Sequence, residues 1–214
     1  MPNLGNAIFA YLCFQISKFM SEIKIVQVTS ENQLLDFIKF PMNLYKNNKN
    51  YVPSLIRDEK NIWNPKENPA LAYSEAKQFL AYKEGKIVGR IAVMINHKEA
   101  KELGIKKVRF GWLDFMDDED VSKALIEEAI KFAKERNFKK IEGPMGFTNL
   151  DKAGMLTYGF EKLATMIGLY NYEYYAKHLE KLGLSKEKEW VEFEMELLDA
   201  LPEKVEKFSK LIAE

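Results

Sequence analysis

The chain has 214 residues, of which 47% are apolar and 30% charged, an ordinary globular mix that can build a core without disulfides or a structural metal. Lys plus Arg equals Asp plus Glu at 32 each, so there is no basic field of the kind a nucleic-acid partner requires. Cys13 is the only cysteine, which excludes an internal disulfide and a cysteine-built zinc site, and the two histidines, His97 and His178, are far apart, so no metal is expected. A lone cysteine and a Lys/Glu-rich surface fit a reducing, cytoplasmic setting.

Ala7–Ile16 (AIFAYLCFQI) is an apolar run of ten residues. A membrane-spanning helix needs about 20, so this run is no transmembrane segment. The preceding MPNLGN lacks the Lys or Arg of a signal peptide. Two readings of residues 1–20 stand: an extension ahead of a biological start at Met20, or a short interfacial helix ending near Lys18.

Ile23–Val28 alternates like a strand, and Thr29 or Ser30 can cap a helix with Leu34, Leu35, Phe37, Ile38 and Leu44 on its apolar side. Asn47–Lys49 is turn material, YVPSL is extended, and Trp63–Pro69 is a loop. Phe79–Tyr82 and Ile87–Ile95, joined by Lys83–Lys86 (KEGK), predict a β-hairpin. A charged helical stretch follows, then a strand over Val108–Phe115. A helix from Asp117 to about Arg136 presents Val121, Ala124, Leu125, Ala129, Phe132 and Ala133 on one face. Lys139–Glu142 predicts a strand stopped by Gly143–Pro144. Asn171–Leu182 predicts a helix ending at Gly183, Trp190–Leu197 a half-buried strand, and Pro202 opens a last helix with Val205, Phe208, Leu211 and Ile212.

This order of elements resembles that of the GNAT superfamily of acyl-CoA N-acyltransferases: an α/β fold with a central, mostly antiparallel mixed sheet flanked by helices. LYKNNKNYVPSL, KENPAL, FLAYKEGKIVGRIAVMIN, FGWLDFMDDEDVSKALIEEA, EGPMGFTNLDKAGMLTYGF and YNYEYYAKHLEKLGL further resemble the bacterial ceramide synthase-like branch, over most of Leu44–Leu184. The resemblance implies a GNAT-like domain over residues 21–197. Because members of that branch look like two tandem units, residues 198–214 are expected to begin a truncated second unit or form a linker helix.

The implied activity is transfer of an acyl group from acyl-CoA to the amine of a sphingoid-type base. The chemistry needs a free amine, donors for the oxyanion and a proton for the thiolate. In GNAT enzymes a Gly-rich turn and the N-terminus of the long central helix hold the donor pyrophosphate. Here Asp117-Asp118-Glu119-Asp120 stands in that place: a good cap, but a field that opposes an incoming phosphate, so the donor site is expected outside this unit. Leu179 stands where many family members carry a general-acid Tyr, which leaves Tyr175, a turn earlier, and His178 as substitutes.

Glu142, at a strand end, is the candidate base, with an exposed structural acid as the bland reading. Asn149 and Asp151 are candidates to orient substrate, though turn hydrogen bonds explain them equally well. Tyr170 and Tyr174 are candidate substrate contacts in a cluster with Tyr172 and Tyr175 that packing also explains. Met145, Met155 and Met166 suit a hydrophobic pocket or the core, and His97 suits the surface.

The expected partner is a lipid or small-molecule amine at a membrane surface, for a cytoplasmic protein touching the inner face peripherally. Two other readings stand beside this one. The first is a non-catalytic scaffold or lipid-binding half of a two-unit protein; the second is a stand-alone acetyltransferase that binds coenzyme A tightly by itself.

Overall fold

A computed structural model describes residues 22–148, 150–165, 168–193 and 203–213. The sheet runs β1 (Lys24–Gln27), β2 (Ser74–Lys83), β3 (Lys86–Asn96), β4 (Val108–Phe115) and β5 (Ile141–Glu142) in that spatial order. All neighbours are antiparallel except β4 and β5, which run parallel. The helices are α1 (Glu31–Leu44), α2 (Ile56–Ile62), α3 (His97–Glu102), α4 (Glu119–Glu135), α5 (Tyr174–Lys181) and α6 (Glu203–Ala213). The chain divides into two compact units between Leu184 and Ser185, with α6 in the second. The mixed α/β architecture with a mostly antiparallel sheet is the one expected.

The β2–β3 hairpin organises the sheet. Its turn needs positive φ at both central residues, which Glu84 (51°) and Gly85 (76°) supply, and that twist matches the strands. Successive residues of the hairpin then feed two separate cores. Phe79, Ala81, Ile91, Val93 and Ile95 pack with α4 and α5 residues, while Leu80, Ala92 and Met94 pack with Phe37 of α1 and with Phe147. A sheet covered on both faces explains why IVGRIAVMI reads as a continuous apolar run rather than an alternation.

α1 begins where expected: Ser30 accepts from the Gln33 amide while Gln33 reaches back to the Ser30 amide, a complete capping box. α4 is capped by Asp118 and buries Val121, Leu125, Ala129, Phe132 and Ala133.

Several elements depart from expectation. Helix α2 lies where no periodicity marked one. α5 starts at Tyr174 instead of Asn171, because the Asn171 side chain is buried and bonds Leu156 N (2.6 Å), Leu156 O (3.1 Å) and Tyr172 O (3.0 Å), pinning a loop. Trp190–Phe193 forms no strand, and 194–197 lies outside the described residues, as do residues 1–21 with Cys13 and the apolar run. Among the described residues no helix is long and apolar enough to cross a membrane, and no group of three or more His, Cys, Asp or Glu is placed to hold a metal.

Candidate active site

The C-terminal end of β4 gathers a buried polar cluster. A register shift between Arg90 and Ala92 accompanies Trp112, which sits at φ 45° in the strand facing them. Trp112 is held there by its indole N–H to Glu59 (2.9 Å) and by Trp63, whose ring centroid lies 4.7 Å away. Two residues on, Asp114 faces Arg90 across the ladder, with both side chains buried. Arg90 Nε and Nη2 reach Asp114 Oδ2 at 2.8 and 2.7 Å, and Nη1 donates to the Phe37 carbonyl at 2.8 Å. The second Asp114 oxygen accepts from Tyr45 (3.0 Å), whose hydroxyl lies 2.6 Å from that of Tyr175. Tyr175 in turn accepts from the Phe115 amide at 3.1 Å. Tyr175 can also donate to the same Asp114 oxygen at 3.4 Å, so either hydroxyl of the pair can be the donor to the other.

Burial, then the neighbouring Asp114 charge, pushes both Tyr45 and Tyr175 well above the ordinary tyrosine range. Tyr175 keeps its proton, and at 1% exposure it is closed to solvent. Tyr174 donates to the Phe115 carbonyl at 2.5 Å, stacks on Tyr172, and meets the Phe115 ring edge-on and the His178 ring at a tilt. Tyr170 packs edge-on to Tyr45, accepting from Asn48 at 2.7 Å.

His178, one turn after Tyr174, docks on the start of α4. Its Nε2 lies 3.0 Å from Asp117 Oδ1 and its Nδ1 2.9 Å from Ser122 Oγ. This is the hydrogen-bond order of a nucleophilic triad. Ser122, however, is 1% exposed and also bonds the Glu119 carbonyl at 3.0 Å, so no substrate carbonyl reaches it.

The sequence-predicted residues fall in three places. Tyr170, Tyr174, Tyr175 and His178 come together at the C-terminal end of β4. Glu142 pairs with Arg109 at the other end, roughly 20 Å away at about 3.3 Å per strand residue. Its carboxylate holds Lys107 at 2.9–3.0 Å and lies 3.8 Å from Lys140. Burial pushes Glu142 up, but Lys107, then Lys140 and Arg109, outweigh it and hold the group below the ordinary glutamate range. A carboxylate so held is a weak base. It also ties stability to pH: with the folded value depressed, its contribution is present above the unfolded value and is lost as pH falls through the folded one. Lys107→Met is expected to shrink the stability difference between pH 7 and about pH 3, as thermal melts at both values would read.

Asp151 closes a turn, accepting from Thr148 N (2.7 Å) and Thr148 Oγ1 (3.2 Å). It also lines an open cleft of about 300 Å3 with Asp58, Glu67, Ile62, Ala70 and Phe147. Asn149 and Met166 lie outside the described residues. Sequence reasoning missed Arg90, Asp114, Tyr45 and Ser122. The available signal was one charge of each sign set in two otherwise apolar strands, IVGRIAVMI and WLDF, a sign of a buried cross-strand pair.

No family profile matches the sequence. The chain is 31% identical over 176 residues to Protein YghO of Escherichia coli (strain K12), covering 82% of this chain and 45% of that protein. It is 23% identical over 184 residues to a bacterial ceramide synthase of Caulobacter vibrioides, covering 86% and 48%. Over more than four fifths of its length the chain is therefore similar to these two bacterial proteins.

It spans about half the length of these curated relatives. Among solved structures it is similar to a Clostridium acetobutylicum acetyltransferase with acetyl-CoA, at 14% identity and TM-score 0.45, covering 80% of this chain and 96% of that one. It is also similar to an aminoglycoside acetyltransferase from a soil metagenomic sample in complex with sisomicin, at 15% and 0.46, covering 82% and 97%.

Proposed function

We propose that this GNAT-type domain is one half of an N-acyltransferase that joins an acyl group from acyl-CoA to the amine of a sphingoid-type base, and that it serves the acceptor side. The observation that carries the reading is the similarity to a bacterial ceramide synthase across 86% of this chain. In the overall reaction the amine nitrogen attacks the thioester carbonyl, the C–N bond forms, the C–S bond breaks, and a proton passes from nitrogen to the leaving thiolate.

The cleft beside Asp151 supports the acceptor role. Asp58, Glu67 and Asp151 give it negative charge suited to an ammonium head, while Ile62, Ala70 and Phe147 give it an apolar wall for the adjoining chain. Leu150, Tyr158 and Leu163, at 97%, 88% and 66% exposure, put apolar groups on the segment leading away from it, which favours peripheral contact with the inner membrane face of a cytoplasmic protein. Asp151 orients this rim through Thr148, and Asn149 is assigned to the same substrate-facing role.

A second reading, a non-catalytic scaffold, is favoured by one specific observation. Tyr175 is buried, and Glu142 is ion-paired at the far end of β4, so neither offers an obvious proton path to a bound amine.

Titration with sphinganine and with N-acetylsphinganine separates the readings. The acceptor role predicts saturable binding of the free amine, weakened roughly fivefold or more in Asp58→Asn/Glu67→Gln. Equal binding of both lipids, or none of either, would sink the acceptor role and leave the scaffold.

A further inference from the structure

A thioester donor built on coenzyme A offers a protein two groups to hold. Its pyrophosphate suits free amides at a helix N-terminus, and its amide-bearing arm can pair with an open strand edge as an extended peptide does. In this unit the residues do not fit either group. At the start of α4 the amides of Val121 and Ser122 are spent on the Asp118 main-chain carbonyl, at 3.1 and 3.2 Å, and that of Asp120 on the Asp118 carboxylate, at 3.0 Å. Lys83 lies 2.5 Å from the same carboxylate. Burial pushes Asp118 up, but Lys83 and the nearby amides of Asp120 and Val121 outweigh it, so the cap stays ionised at neutral pH. Two further acids at this end are closed by α5, Asp117 by His178 at 3.0 Å and Glu119 by Lys181.

The strand edge is taken as well. Met116 N bonds Val88 O at 2.9 Å, and Phe115 lies opposite Gly89 next in the ladder. Antiparallel pairs alternate between bonded and unbonded, so the Phe115 N–H and C=O point away from β3. Those are the two groups that Tyr175 and Tyr174 occupy, at 3.1 and 2.5 Å. Lower on β4, Met145 N bonds Phe110 O at 2.8 Å. One short helix therefore supplies four side chains, at positions 174, 175, 178 and 181, that close both features together.

We infer that α5 is a resident occupant of the donor groove in this unit. Its two tyrosine hydroxyls replace the contacts a donor arm would make on β4, and His178 and Lys181 are committed to the acids Asp117 and Glu119 beside the α4 N-terminus. The unit keeps the frame of an acyltransferase with its donor side filled by its own chain, which leaves donor binding to other parts of a longer protein. The identity of the acceptor plays no part in this.

Two measurements on the 214-residue chain test it. Calorimetric titration with coenzyme A and with palmitoyl-CoA is expected to show no site tighter than about 1 mM. Micromolar binding of coenzyme A itself overturns the inference while leaving the acceptor role, tested with sphinganine, standing. Hydrogen exchange read at the Phe115 amide is expected to be slowed at least about a hundredfold relative to an unprotected amide, because opening it requires α5 to leave. Exchange at the unprotected rate would mean α5 does not hold the edge, and would overturn the inference even with the titration blank.

Discussion

Asp114→Ala is expected to lower the unfolding free energy by about 3–5 kcal/mol, read from urea denaturation followed by far-UV circular dichroism. The loss comes less from the broken pair than from what remains. Arg90, at 7% exposure, keeps its charge in the interior with only the Phe37 carbonyl and the Phe37 ring, 4.9 Å away, to face. Tyr45 loses its acceptor, and the run of hydroxyls back to Phe115 loses its terminus. Removing both charges with Arg90→Met/Asp114→Leu should cost less than Asp114→Ala alone, because no uncompensated ion is left behind. A double variant as unstable as the single one would show that the charge imbalance is not what matters.

Gly111→Ala carries the second large effect, expected at about 3 kcal/mol or more and in practice a loss of soluble folded protein. A Cβ at this position would sit 2.2 Å from the Met145 carbonyl oxygen and 3.1 Å from its carbon. Both are backbone atoms and cannot rotate aside, so the segment after β5 would have to leave β4, taking the Met145–Phe110 hydrogen bond with it. Gly89→Ala is the control. Its nearest obstacles are two side-chain ends, Leu125 Cδ1 at 2.9 Å and Val121 Cγ1 at 3.0 Å, with the Asp114 carbonyl oxygen no nearer than 3.2 Å, and the penalty should stay at about 1–2 kcal/mol. Parallel denaturation of the two variants checks the contrast; equal losses would argue against the backbone clash.

The acidic start of α4 shows how far a local pattern reaches. Four consecutive carboxylates announced a cap and an unfavourable field for phosphate, and Asp118 is that cap. The pattern could not show that His178 and Lys181 would cover it from α5. Tyr175 and His178 were singled out as proton donors, and they do meet at the end of β4. Nothing in their spacing showed that the Tyr175 hydroxyl points into a sealed network, because that depends on Tyr45, 130 residues earlier, and on Asp114. Glu142 was placed correctly at a strand end, yet its partner Lys107 lies 35 residues away on the approach to the neighbouring strand.

The sequence by itself determined the elements whose cause is local: the capping box at Ser30, the KEGK turn with its two positive-φ residues, the apolar face of α4, and the order strand, helix, hairpin, strand, helix. These depend on contacts within a turn or two of chain, where residue type and spacing settle the geometry. Only the tertiary structure decided which polar groups became buried partners, that both faces of the hairpin are covered, and that α5 lies against the edge of β4 and the start of α4. Those outcomes rest on side chains some 60 to 130 positions apart meeting in a low-dielectric interior, where an unpaired polar group is costly and the partner is set by packing.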